Sequence, residues 1–370
     1  MGNQHGELGV ETVWEKTRRS HKGRHYACSV TILATTAPGE QNLAIFETNL
    51  QLGESEPLGM GVKRVTMEQL EHAAVRFFDT DLGLGAAVHE SRKSIKRVRA
   101  LLRLVRGEIP DRIYDFENRS LRDTGRLISE VRSVQGVVNA AISIQQLYGE
   151  LLAEGTFAEM LVRLQRRRDT TELATAEDPN LIGRVVRGLE RAYHRYGSWP
   201  TDPDAREVYG IGIRDSFVAI SPGLARTYSH GRQTMVSAYR WGGRGDFHEW
   251  RKRVKDIRHQ MEFLVPLWPE VVGGTALTLE RLGDLLGEDH DLAELQQLLR
   301  KRPDLCPNPR ERSLFRALSA QRRWELELAG EVLGRRVYAE KPKALVGRFG
   351  EYWDARHMAI TGSLDTLQVN

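Results

Sequence analysis

The chain has 370 residues, 40% hydrophobic and 28% charged, with a formal net charge of only +4, a composition that fits a globular protein with room for two or three domains. No stretch approaches the roughly 20 apolar residues of a membrane helix, and the opening MGNQHGELGV lacks the apolar core of a secretory signal. Two cysteines, Cys28 and Cys306, are too few for a disulfide framework or a thiolate zinc site, so a cytoplasmic protein with reduced thiols is expected.

Residues 1–61 are rich in Gly, Thr and Glu and carry one strand pattern, Cys28 to Leu33, with no clear partner. This extension is expected to be disordered. Met60 stands just ahead of GVKRVTMEQL, where helical patterning sets in; this points to a start of translation downstream of Met1, which native peptides from residues 11 to 50 in a mass spectrum would refute.

From Thr66 onward apolar residues recur at spacings of three and four. Helices are predicted over Glu68 to Phe78, Val88 to Arg106, Leu121 to Ala153, Phe157 to Arg168, Leu181 to Tyr196, Gly223 to Trp241, Phe247 to Leu267, Leu277 to Leu286, Leu292 to Leu299 and Glu311 to Leu333. Breaks fall where Pro, Gly and Asp cluster, and no Asn-Gly or Asp-Gly hairpin turn occurs. The fold class is therefore all-α, built from antiparallel helix bundles.

Positive charge is focused. Val88 to Arg106 carries a net charge of +6 and Phe247 to His259 a net +3, which leaves the rest of the chain net acidic. The two segments are also copies. A shift of 159 positions lays His89 on His248, Glu90 on Glu249, Arg92 on Arg251, Lys93 on Lys252, Lys96 on Lys255 and Arg99 on Arg258, with Ile95 over Val254 and Val98 over Ile257. Such a repeat predicts two similar halves, residues 62–215 and 216–360 with a tail at 361–370, related by a pseudo-twofold axis.

On a helix, His89, Arg92, Lys93, Lys96, Arg99 and Arg103 share a sector of about 120°, while Ile95, Val98, Leu101, Leu102 and Val105 gather opposite. Successive cationic rungs stand about 5 Å apart along the axis. A solvated face mixes signs, because like charges one turn apart repel; accepting the repulsion twice, at matching positions, is the pattern of a polyanion site. Asp246 with Glu249 reads as a capping box opening the second basic helix. Asp289-His290-Asp291 reads as capping at a helix start rather than as a metal site.

These residues resemble the CHAD family, the conserved-histidine α-helical domains. The family's helix of a histidine, an Arg-Lys pair, a Lys and then arginines is similar to VHESRKSIKRVRALLRLVR at Val88 and to FHEWRKRVKDIRHQMEFL at Phe247. GLARTYSHGRQTM at Gly223 and YAEKPKALVGRFGEYW at Tyr338 resemble two further family helices, so that the resemblance spans Thr66 to Arg356. It implies two four-helix bundles facing each other across a basic cavity that binds inorganic polyphosphate. Carried over by position, the polyphosphate-binding residues are His89, Arg92, Lys93, Lys96, Arg99 and Arg103 from the first copy. The second supplies His248, Arg251, Lys252, Lys255 and Arg258, and Arg226, Tyr228 and Arg232 are added from the preceding helix.

The sequence departs from the pattern where Ser91 replaces an apolar residue, Asp256 stands at the position of Arg97, and Glu262 at that of Arg103. These changes imply a weaker grip by the second half. The family often accompanies a triphosphate-cleaving domain marked by Glu-x-Glu-x-Lys on a strand; Glu325 and Glu327 in WELELAG have the alternation without the lysine. The expectation is a non-catalytic module with no cofactor or metal and no membrane contact, binding polyphosphate or other polyanions and associated with polyphosphate granules. The alternatives are a single-stranded nucleic-acid binder, for which only Trp250 and Phe263 interrupt the second basic row, and a histidine phosphotransfer protein using His89 or His248.

Overall fold

The computed structural model describes residues 14–16, 28–30, 50–79, 81–202, 205 and 210–368. Residues 1–47 and 48–370 form separate compact units. In the first, β1 (Trp14–Lys16) pairs antiparallel with β2 (Cys28–Val30), Trp14 opposite Val30. The predicted strand thus has a partner; its remaining residues, like most of the predicted disordered extension, lie outside the described residues.

Eleven α-helices make up the second unit among the described residues: α1 (Leu58–Val75), α2 (Leu84–Leu104), α3 (Asp111–Leu127), α4 (Ser129–Tyr148), α5 (Ala158–Ala176), α6 (Pro179–Gly197), α7 (Phe217–Trp241), α8 (Arg244–Leu264), α9 (Pro269–Lys301), α10 (Pro309–Val337) and α11 (Pro342–Gln368). The all-α class holds for this unit. Among the described residues no helix is long and apolar enough to cross a membrane.

Order begins earlier than residue 62. Leu52 is buried and its N–H donates to the Phe263 carbonyl (3.0 Å). The Asp215 carboxylate accepts from the first N–H of α1, at Leu58 (2.9 Å), a long-range cap that fixes where the helix starts. At the other end α11 runs through the predicted tail to Gln368.

Several helix boundaries differ from the periodicity, α1 starting at Leu58 and α3 at Asp111 among them. The predicted helix Leu121 to Ala153 breaks at Ile128 into α3 and α4; the Arg92 guanidinium takes the carbonyl of Gly125 in the last turn of α3, satisfying an acceptor that the break leaves open. The two helices predicted either side of Asp289-His290-Asp291 are one 33-residue helix, α9. Asp289 is therefore not a cap: it is buried in mid-helix and accepts from Arg323 of α10 (2.7 Å). The capping box at Asp246 is also absent, because α8 starts earlier, with Gly243 at its N-cap and Asp246 in the first turn.

Two apolar clusters hold the helices together, and they do not divide at residue 215. The larger joins α1, α2, α3 and α6 to α7, α8, the first half of α9 and α11. The smaller unites α4 and α5 with the second half of α9 and α10, including Phe157 against Phe315 edge-on at 5.5 Å. Each cluster draws on residues from both sides of residue 215, α4 packing across onto α9 and α10. At the centre α2 lies directly on α8, and buried Gln260 of α8 donates to the Ala100 carbonyl of α2 (3.0 Å) and to Thr227 of α7 (3.1 Å).

Candidate functional site

Where α2 crosses α8, the apolar faces pack and the polar faces are left beside each other. Arg92 and Lys96 of α2 come within electrostatic reach of Arg251 and Lys255 of α8, and Arg132 of α4 joins them. Against these five cations stands one carboxylate in ion-pair contact, Asp291 of α9, 3.4 Å from the Arg132 guanidinium. Among the described residues no carboxylate lies within ion-pair distance of Arg92, Lys96, Arg251 or Lys255, and the Nε–H groups of Arg92 and Arg251 are buried without a hydrogen-bond partner.

The crowding changes the chemistry of the lysines. Burial, with Arg92, Arg251 and Arg132 adding to it, brings Lys96 down to about 7. Burial, Arg251 and Lys96 push Lys255 well below the usual lysine range. Burial and then Arg132 and Arg251 lower Arg92, while burial lowers Arg251 against the opposing pull of Asp291. Desolvation and like charge both disfavour the charged form, so the cluster holds its charge at an energetic cost.

The remaining sequence-predicted residues divide. His89 sits beside Arg132, lowered by burial and then by that guanidinium. The His248 ring packs tilted against that of His290 of α9, centroids 4.3 Å apart. Arg99 and Arg103 lie one and two turns along α2: Arg99 donates to Asn118 (2.9 Å) and is brought to about 10 by burial and Arg103, while Arg103 reaches Asp256 of α8 (3.3 Å). Arg226 is exposed on α7 near His230, which is lowered by burial, then by Arg253 and Arg226. Arg232 is also exposed, close to Tyr228 instead.

Besides Arg232, four predicted residues are not gathered at the cluster. Lys93 pairs with Glu90 (3.6 Å) and Lys252 with Glu249 (2.6 Å), each a local pair on its own helix. Arg258 is held between Glu262 (2.7 Å) and Glu280 (2.6 Å). These three occupy the edges of the 120° sector, where neighbouring carboxylates reach them, whereas Arg92, Lys96, Arg251 and Lys255 lie near its centre. Tyr228 is buried and its hydroxyl donates to the Val337 and Glu340 carbonyls (3.0 and 3.1 Å), so it ties α7 to the turn before α11.

Arg132 was not among the residues singled out in the sequence, because it lies outside the repeated helix. A signal existed: the same shift of 159 positions sets Arg132 opposite Asp291, an exchange of charge between the halves. Among the described residues no group of three or more His, Cys, Asp or Glu side chains is placed to hold a metal ion.

The CHAD domain matches the sequence over residues 68–300, from α1 to the end of α9, with both basic helices inside. The chain belongs to the CHAD-domain family. No curated protein matches it. The match ends before α11, so the resemblance at Tyr338 to Trp353 stands outside it. Within the matched region of this CHAD domain lie all five cations of the central cluster and Asp291.

Proposed function

We propose that this CHAD domain binds inorganic polyphosphate along the facing polar sides of α2 and α8 and performs no chemistry on it. The observation that carries the reading is the central cluster: among the described residues five cations share one directly paired carboxylate, in a place where the two repeated helices meet. On this reading the basic cavity is the space flanked by Arg92, Lys96, Arg251, Lys255 and Arg132, with His89 and His248 at one end of the rows and Arg99, Arg103 and Arg226 at the other. The duplicated halves supply one basic helix each, and a pseudo-twofold relation between them accounts for the matched rows.

Arginine supplies paired N–H donors to phosphate oxygens and lysine a compact charge. A flexible polyanion is held by charge and spacing, with no sequence to be read, and its condensed counterions are released on binding. Association should therefore weaken steeply with salt, by a log–log slope of about 3 to 4 for four or five neutralised cations. Titration of long-chain polyphosphate against the full chain at several salt concentrations tests this; absence of binding at low salt would refute it. Residence in the cytoplasm, at polyphosphate granules, belongs to the same proposal.

The nucleic-acid reading loses its stacking groups, since Trp250 and Phe263 are buried in the apolar core. Competition with single-stranded DNA and RNA should leave polyphosphate the preferred ligand. For phosphotransfer, acid-labile phosphohistidine after exposure to a phosphodonor would be the sign; Arg132, Lys93 and Lys96 around His89 favour holding an anion there instead.

A further inference from the structure

The one acid paired into the cationic cluster is itself a built feature. Asp291 leaves α9 two residues after Asp289 and three after Glu288, yet those neighbours are committed elsewhere: Asp289 to Arg323 (2.7 Å), and Glu288 to Arg322 (2.8 Å) and Ser143 (3.1 Å). Asp291 alone of the three turns to Arg132, with side chains only 20% and 25% exposed. Space for the pair depends on Gly136, one turn along α4 from Arg132. A Cβ there would lie 3.1 Å from the Asp291 carboxylate and 2.7 Å from the Arg132 guanidinium. The carboxylate's field also reaches Lys96, Arg251 and Lys255.

We propose that Asp291 is an internal counter-ion that keeps small anions out of the cationic cluster and is displaced from Arg132 when a polyphosphate chain enters. The inference rests on the polyphosphate reading and adds the residue that sets its selectivity. An orthophosphate or pyrophosphate that takes Arg132 must break the Arg132–Asp291 pair and then sit beside the carboxylate it has displaced. It meets too few of the other cations to offset that loss. A long chain lies across Arg92, Lys96, Arg251 and Lys255 together, so loss of one internal pair is shared over several new ones. The carboxylate thus discriminates by adding repulsion against the wrong ligand, not by adding attraction for the right one.

The test compares the full-length wild type with Asp291→Asn by calorimetric titration with orthophosphate, pyrophosphate and long-chain polyphosphate, helicity and urea unfolding being followed in parallel. Removing one negative charge from a partly buried site should tighten pyrophosphate by about tenfold. Long-chain polyphosphate should gain only a few-fold, with a salt slope steeper by about 0.7 to 0.9 as one more cation becomes available for neutralisation. Asp291→Glu should restore wild-type discrimination. Unchanged or weaker pyrophosphate binding by a folded Asp291→Asn protein would overturn the proposal. Should that variant unfold, Arg132→Gln decides instead: long-chain binding must weaken by about tenfold, and unchanged affinity overturns the proposal. Wild type that binds no long-chain polyphosphate would overturn the reading of the site as well. Wild type that binds it, beside a variant with unaltered discrimination, overturns the role of Asp291 alone.

Discussion

Lys96 carries the tension between folding and binding in this site. Its ammonium is taken from water into the company of Arg92, Arg251 and Arg132 and falls to about 7 from an ordinary 10.5. Between these values the unfolded chain holds more protons than the folded one, so the ligand-free fold gains stability as pH rises from about 7 towards 10.5. Polyphosphate requires the charged form, so its affinity should fall over the same interval. Urea unfolding at pH 7 and pH 9, with and without polyphosphate, checks both signs. Lys96→Met should stabilise the ligand-free protein by about 1–4 kcal/mol while weakening binding, because it removes a partly buried charge that has no carboxylate in ion-pair contact; a variant less stable than wild type would contradict this. Tyr228 is the converse case. With its hydroxyl bound to two carbonyls of the turn before α11, Tyr228→Phe should lose about 1–2 kcal/mol of stability and leave polyphosphate affinity unchanged.

The two basic helices were legible in the sequence, since a duplication read in register fixes both the helix and the face it presents. Arg92, Lys96, Arg251 and Lys255, at the middle of that face, meet as the register implies. Lys93, Lys252 and Arg258, at its edges, do not, because ion pairs with Glu90, Glu249 and Glu262 are cheaper to form than to forgo and a wheel of cations does not show them. The structural ties of Tyr228 were hidden for a different reason: its partners follow more than a hundred positions later in the chain. The continuity of α9 was hidden by Gly287 and the acids after it, a composition of breaks; Asp289 and Asp291 are instead stabilised within the helix by Arg323 and Arg132. Close approach also sets the geometry at the other end of α2, where a Cβ on Gly223 of α7 would run into the carbonyl oxygens of Leu104 and Arg103. Backbone cannot yield as a side chain does, so Gly223→Ala should destabilise the fold by about 3 kcal/mol, measured by thermal or urea unfolding.

Over the helical unit, the two halves share contacts in exchange, α4 of the first packing onto α9 and α10 of the second. This exchange brings Arg132 of the first half and Asp291 of the second to the crossing of α2 and α8 and makes the site a product of both halves. The family match includes every element that contributes to it. The account rests on the central cations being a binding surface and not a solvated face, and one measurement tests that most directly. Lys96→Glu and Lys255→Glu together should abolish binding of long-chain polyphosphate at low salt while circular dichroism shows the helix content of wild type, since Arg92 and Arg251 gain the carboxylate partners they lack. Retained affinity in a folded double variant would contradict the account.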